Sequence, residues 1–183
     1  MFKHALILCS GLVAASQAAA NDLYIDLSND TFHARFDATH ASNNIRYSAE
    51  TLITEDQGYV VDAGMWTYGD IGSNKAIQGG LGGKIYYGDT DNDAITALAL
   101  GGTINIAIPG VDGLSISSDL FFAPSITVNN DFKNLSDFNL RVNWALFENA
   151  AIYGGLRQLE ADYKHSGSHE FDEGLHAGIK MSF

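Results

Sequence analysis

Apolar and polar side chains alternate one by one along most of this chain, and a period of two belongs to strands, not helices. The clearest unit runs from Asp22 to Ala38. Asn29 and Asp30 make a two-residue turn of the type that tolerates positive φ. Folding the chain there sets Leu27 against Phe32, Ile25 against Ala34 and Leu23 against Phe36 on one face. The other face pairs Asp26 with His33 and Tyr24 with Arg35. Turn and register agree, which specifies a hairpin with one oily and one polar side.

The pattern recurs downstream. Ile45, Tyr47, Ala49, Thr51 and Ile53 alternate with Arg46, Ser48, Glu50 and Leu52. Leu98, Leu100, Ile104 and Ile106 oppose Ala97, Ala99, Thr103 and Asn105, and Phe138, Leu140, Val142 and Trp144 oppose Asn139, Arg141 and Asn143. Turn-forming residues dominate the stretches between such runs. The reading is an all-β chain of ten strands, two of them short, closed as an antiparallel up-and-down transmembrane β-barrel. An eight-stranded barrel from about Asn44 onward, with the first hairpin as an extension, is the alternative. One segment, Ala151 to Lys164, breaks the alternation by putting Gln158 and Glu160 on the oily face; a bulge near Arg157 would restore it.

Ahead of the first strand, residues 1–20 have a basic start (Lys3, His4), an apolar run from Ala5 to Ala15, and Ala18 and Ala20 placed for cleavage before Asn21. This predicts a secretory signal peptide at 1–20 and a barrel at 21–183. Cleavage would remove Cys9, the single cysteine, so no intramolecular disulfide forms. A lipid anchor on Cys9 is rejected, because Leu8 stands where a small residue is needed. The formal charge of −12 argues against nucleic acid, whose phosphates require clustered Lys and Arg. Charged residues make up 17%, below the roughly 25% usual for soluble domains, which hints at a non-aqueous neighbour.

Alternation alone does not say which face points outward. Aromatics decide part of it: on the apolar face Tyr59, Tyr87, Phe122 and Phe138 gather at one rim, with Tyr47, Phe36 and Phe183 near the other, as in interface girdles. The polar face carries small residues and scattered opposite charges, suited to a narrow lumen. The ending Met181-Ser182-Phe183 resembles the C-terminal assembly signal of outer-membrane proteins. These features predict the outer membrane of a Gram-negative bacterium. The expected partners are its lipid and lipopolysaccharide, and its assembly machinery through the strand ending in Phe183. With both ends in the periplasm the strand number must be even, and the longest connection, Pro124 to Leu135, falls outside.

Several stretches resemble the YfaZ family of outer-membrane proteins. They are Leu27-Ser28-Asn29-Asp30-Thr31, Gly80-Leu81-Gly82-Gly83-Lys84 with Tyr86-Tyr87, Ala97-Leu98-Ala99-Leu100-Gly101-Gly102, Ala123-Pro124, Arg157 with Glu160-Ala161-Asp162, and Gly174-Leu175-His176-Ala177-Gly178. They run in order through nearly all of the chain after the leader. The resemblance implies an outer-membrane barrel and carries no reaction or substrate with it.

Few residues suggest chemistry. The glycine run before Lys84 lacks the spacing and the Ser or Thr of a phosphate loop, and sits mid-strand. Asp89, Asp91 and Asp93 alternate in an external turn and form a weak divalent-cation candidate without the glycine and distal Glu of a calcium loop. His165, His169 and His176 lie around the last external loop without evident converging partners. Ser115, Ser117 and His176 form no recognisable triad. The lumen face offers Arg35, Arg46, Glu50, Asp62, Lys84, Asp119, Arg141, Arg157 and Lys180, which inside a narrow barrel must be paired or hydrated. The expectation is a non-enzymatic barrel without cofactor, of structural or passive-transport (porin) role. The alternatives are surface ligand binding or adhesion through external loops, and a soluble periplasmic lipocalin-like binder with the faces reversed.

Overall fold

The computed structural model describes residues 20–40, 43–55, 58–73, 75–89, 94–129, 131–165 and 167–183; the predicted leader at 1–20 lies almost wholly outside them. Alternating sequence becomes β1 (Ala20–Leu27), β2 (Thr31–His40), β3 (Ile45–Thr54), β4 (Gly58–Thr67), β5 (Gly69–Asp70), β6 (Ile77–Asp89), β7 (Ala94–Ala107), β8 (Leu114–Ala123), β9 (Phe132–Phe147), β10 (Ala150–Tyr163) and β11 (Ser168–Ser182). The short β5 continues β4 past Tyr68, and both pair with β6, so the wall has ten staves. Each stave lies antiparallel to its neighbours in sequence, and β1 pairs with β11 to close the ring. The sheet therefore keeps no free edge.

The first hairpin has the register its turn demands, Leu27 opposite Phe32 through Leu23 opposite Phe36. It is part of the wall, since β1 also pairs with β11 and β2 with β3, so the eight-stranded alternative does not hold. Along the middle of the barrel the faces are inverted relative to a soluble protein. Leu100 is 70% exposed and Leu81 76%, whereas Lys84, on the opposite face of the strand that carries Leu81, is 2% exposed. Oily side chains outside and charge inside are the pattern of a membrane-spanning barrel and exclude the lipocalin-like arrangement.

At the loop rim Tyr59 and Tyr87 lie side by side on the outer surface, ring centroids 6.3 Å apart. Phe122 is exposed there as well, and Phe138 is half-buried. At the opposite rim, where β1 begins and β11 ends, Phe36 stands 6.3 Å from Phe183. Tyr47 is exposed at that rim, joined by Trp144 and Phe147.

Two expectations need correction. The alternation of β10 runs on unbroken, with Arg157, Leu159 and Ala161 buried and Gln158 and Glu160 turned outward. The irregularity lies in the facing strand, where Leu159 pairs with Asp172 and Glu160 with Glu170. Phe171 is thus the extra residue of a bulge, and both it and Asp172 point inward. Polar outward residues are tolerated here because β10 and β11, at 14 and 15 residues, exceed the roughly 9–11 that cross hydrocarbon. Second, the connection after β8 is shorter than Pro124 to Leu135, because β9 begins at Phe132 and Leu135 is fully buried.

The closed ladder predicts that detergent-extracted protein migrates differently in gels before and after boiling. Leu100→Arg, which sets a charge against acyl chains near mid-strand, should cost about 2–4 kcal/mol of folding stability in bilayers, read by urea titration of tryptophan fluorescence.

The barrel interior as candidate functional site

Because side chains alternate with period two, cross-strand neighbours on the inner face form rows around the barrel. One row runs from Arg35 to Glu50, Asp62 and Tyr86 on adjacent strands. Around it, ion pairs fill the middle of the lumen. Arg35 donates from Nε and Nη2 to the two carboxylate oxygens of Asp37 at 2.7 and 3.0 Å, and from Nη1 to Asp119 Oδ2 at 3.0 Å. The same Asp119 oxygen accepts from Arg141 Nη2. Lys84 Nζ lies 2.7 Å from Glu50, 3.3 Å from Asp137 and 3.5 Å from Asp62. The Tyr86 hydroxyl also donates to Asp137, at 2.6 Å.

A second group is built round Asp26. It accepts from Arg157 Nη1 at 2.9 Å and from the Tyr153 hydroxyl at 2.7 Å. Arg157 Nε reaches Asp172 at 2.6 Å. His33 joins the two groups, with Nδ1 2.7 Å from Asp26 and Nε2 3.3 Å from Glu50. Both ring nitrogens face carboxylate oxygens, an arrangement that a ring carrying both protons satisfies with two donors. His176 Nε2 lies 3.2 Å from Asn139 Oδ1. Among Glu50, Asp62, Lys84 and Asp119 there remains a space of about 20 Å³, room for about one water molecule.

Above this layer, toward the loop rim, the lumen is apolar. Val60, Ile95, Phe121, Leu135, Leu159 and Phe171 pack there with almost no exposure. Just past β8 the chain turns along the outer end of β7, Thr127 and Thr96 carbonyls accepting from Leu98 and Asn129 at 2.9 and 3.0 Å, and Val128 seals the cluster. Below the ion pairs, toward the turn rim, lies a vestibule of about 280 Å³. Arg46 and Lys180 stand in its wall, Arg35, Arg141 and Asp119 in its floor, and Ser115, Ser117 and Asn143 line one side. Asn143 donates to Ser117 at 3.0 Å, and Arg46 stacks on Tyr68 at 4.0 Å.

Of the lumen residues singled out from sequence, Arg35, Glu50, Asp62, Lys84, Asp119, Arg141 and Arg157 meet in the ion-pair layer, while Arg46 and Lys180 stand in the vestibule wall. Asp37, Asp137 and Asp172 are not among them: Asp37 lies near the end of the first hairpin, and Asp137 and Asp172 precede the clear alternation of their strands. The lumen is also not lined by small residues alone: Trp66, Tyr86 and Phe121 are buried inside it. Glycines make room for them. A Cβ at Gly82 would lie 2.4 Å from Trp66 Cβ, which gives the glycine run before Lys84 a packing role. Asp91 and Asp93 lie outside the described residues, and among the described residues no group of three His, Cys, Asp or Glu could hold a metal. His169 packs edge-on against Phe171 at 4.6 Å, while His176 sits in the interior beside Asp26.

Lys84→Met removes the cation that Glu50, Asp62 and Asp137 share and leaves their buried charge uncompensated. The expected cost is about 3–5 kcal/mol of folding stability, measured by urea titration in lipid vesicles.

No curated protein matches the chain. A solved structure, the KdgM porin in complex with disordered oligogalacturonate, is similar at 11% identity and a TM-score of 0.48, over 90% of this chain and 99% of that one. The family model described as YfaZ precursor matches residues 1–183. With that match spanning its whole length, the chain belongs to the YfaZ family.

Proposed function

We propose that the protein is an integral outer-membrane barrel of the Gram-negative envelope, delivered by a cleaved leader, and that it is sealed at rest and serves a structural role instead of forming an open pore. The observation that carries this reading is the filled lumen. At mid-height Arg35 on β2 reaches Asp119 on β8 across the lumen at 3.0 Å and Lys84 on β6 reaches Asp137 on β9 at 3.3 Å, and above them apolar residues pack from wall to wall. A hydrated ion would have to part buried charge pairs, and breaking one such pair costs about 3–5 kcal/mol.

The apolar outer band and its aromatic rims support contact with lipid and lipopolysaccharide. The strand ending in Phe183, paired to β1 at the seam, supports recognition by assembly machinery. The surface-binding alternative rests on Pro124 to Leu135 and Asp89 to Asp93, and residues 90–93 and 130 lie outside the described residues. No observation on the first favours a ligand there.

Planar-bilayer recording of refolded protein at high salt tests the proposal. A silent membrane is expected; a steady ohmic conductance in every insertion would show an open pore and contradict it.

A further inference from the structure

We propose that the vestibule at the turn end is a binding site for a small hydroxyl-bearing anion, a phosphate or a carboxylate. Four cationic side chains line it, Arg35, Arg46, Arg141 and Lys180, with Asp119 in the same lining; Arg35 is also paired with Asp37 and Lys180 with Asp22 at 3.0 Å, so that four cations stand against these three acids. The Asp119 carboxylate is oversubscribed, since its Oδ2 accepts from both Arg35 and Arg141. Arg46 is paired with Asp37 only at a stretched 3.9 Å, because both Asp37 oxygens are taken up by Arg35. Among the described residues, Arg141, 5% exposed, has no hydrogen-bond partner for its Nε, and Thr103 Oγ1 in the same lining has none either. The cavity therefore has more donor capacity and positive charge than its own acids satisfy, and an arriving anion completes both.

The neutral part of the lining sets the rest of the ligand's chemistry. Ser115, Ser117, Asn143, Asn105 and Gln78 offer hydroxyls and amides, each able to donate and accept, as a hydroxylated molecule requires. The volume of about 280 Å³ falls just below the usual range of ligand pockets, so the ligand is small. Entry is from the turn side. The Lys180 and Arg46 side chains are 29% and 18% exposed there, whereas the ion-pair layer closes the way above. A divalent cation is disfavoured by the excess of cations over acids. This goes beyond the sealed-barrel reading and does not depend on conductance.

The test is calorimetric titration of the refolded full chain in neutral detergent with glycerol 3-phosphate, with gluconate, and with glycerol as the uncharged control. Saturable binding of at least one anion and none of glycerol is expected. Arg46→Gln and Lys180→Gln, both in the vestibule wall and outside the ion-pair layer, should each weaken anion binding about tenfold. Rising salt should weaken it further, and both variants should keep the heat-dependent gel shift. Absence of saturable binding by either anion, equal binding of glycerol, or unchanged affinity in the double variant would overturn the proposal. A silent bilayer together with no anion binding would remove this site and leave the sealed barrel standing; anion binding by a conducting barrel would do the reverse.

Discussion

Inside a bilayer there is no water to complete the hydrogen bonds of a peptide group, so a sheet that crosses hydrocarbon must end where it begins. Here that closure is made by β1 on β11, where Asp22 faces Ser182 and Leu27 faces Ala177. Once the ring is closed, the register is fixed, and with it which residue faces lipid and which faces the lumen. A slip of one residue would send Arg35 into lipid and Phe36 into the ion pairs. The inverted faces follow from closure combined with alternation.

The lumen then carries a burden that a soluble core avoids. Seven carboxylates lie in its middle, Asp26, Asp37, Glu50, Asp62, Asp119, Asp137 and Asp172, against the cations Arg35, Lys84, Arg141 and Arg157. The acids are kept tolerable by sharing. Lys84 serves three of them, Asp26 draws on Arg157, Tyr153 and His33, and His33 ties Asp26 to Glu50. Such a network is costly to cut and rigid while whole, which suits a plug. The vestibule below tips the other way, with Arg46 and Lys180 beside the one carboxylate of Asp22 among the described residues, so charge is divided along the barrel axis.

Much of this was legible in the residues. The hairpin at Asn29-Asp30 could be read down to its pairs, because a two-residue turn and a period of two leave one solution. The lumen charges on Arg35, Lys84 and Arg141 followed from the same alternation. What could not be read were the strand ends. Asp137 and Asp172 precede the clear alternation of their strands, and only the earlier starts of β9 and β11 turn them inward. Period counting locates an irregularity only to a strand pair, so the bulge at Phe171 of β11 registers in the sequence as a mismatch near Arg157 of β10. The partners of His33 and the vestibule depend on distances across the barrel, which no local pattern encodes.

The two tryptophans report on the central claim from opposite faces, Trp66 inside at 2% exposure and Trp144 outside at 53%. Fluorescence quenching in vesicles of lipids brominated near the top of the acyl chains measures that difference directly. Strong quenching of the native protein is expected, and almost none after Trp144→Phe leaves Trp66 as the only tryptophan emitter. Quenching undiminished by that substitution would place Trp66 against lipid and contradict the orientation of the barrel wall.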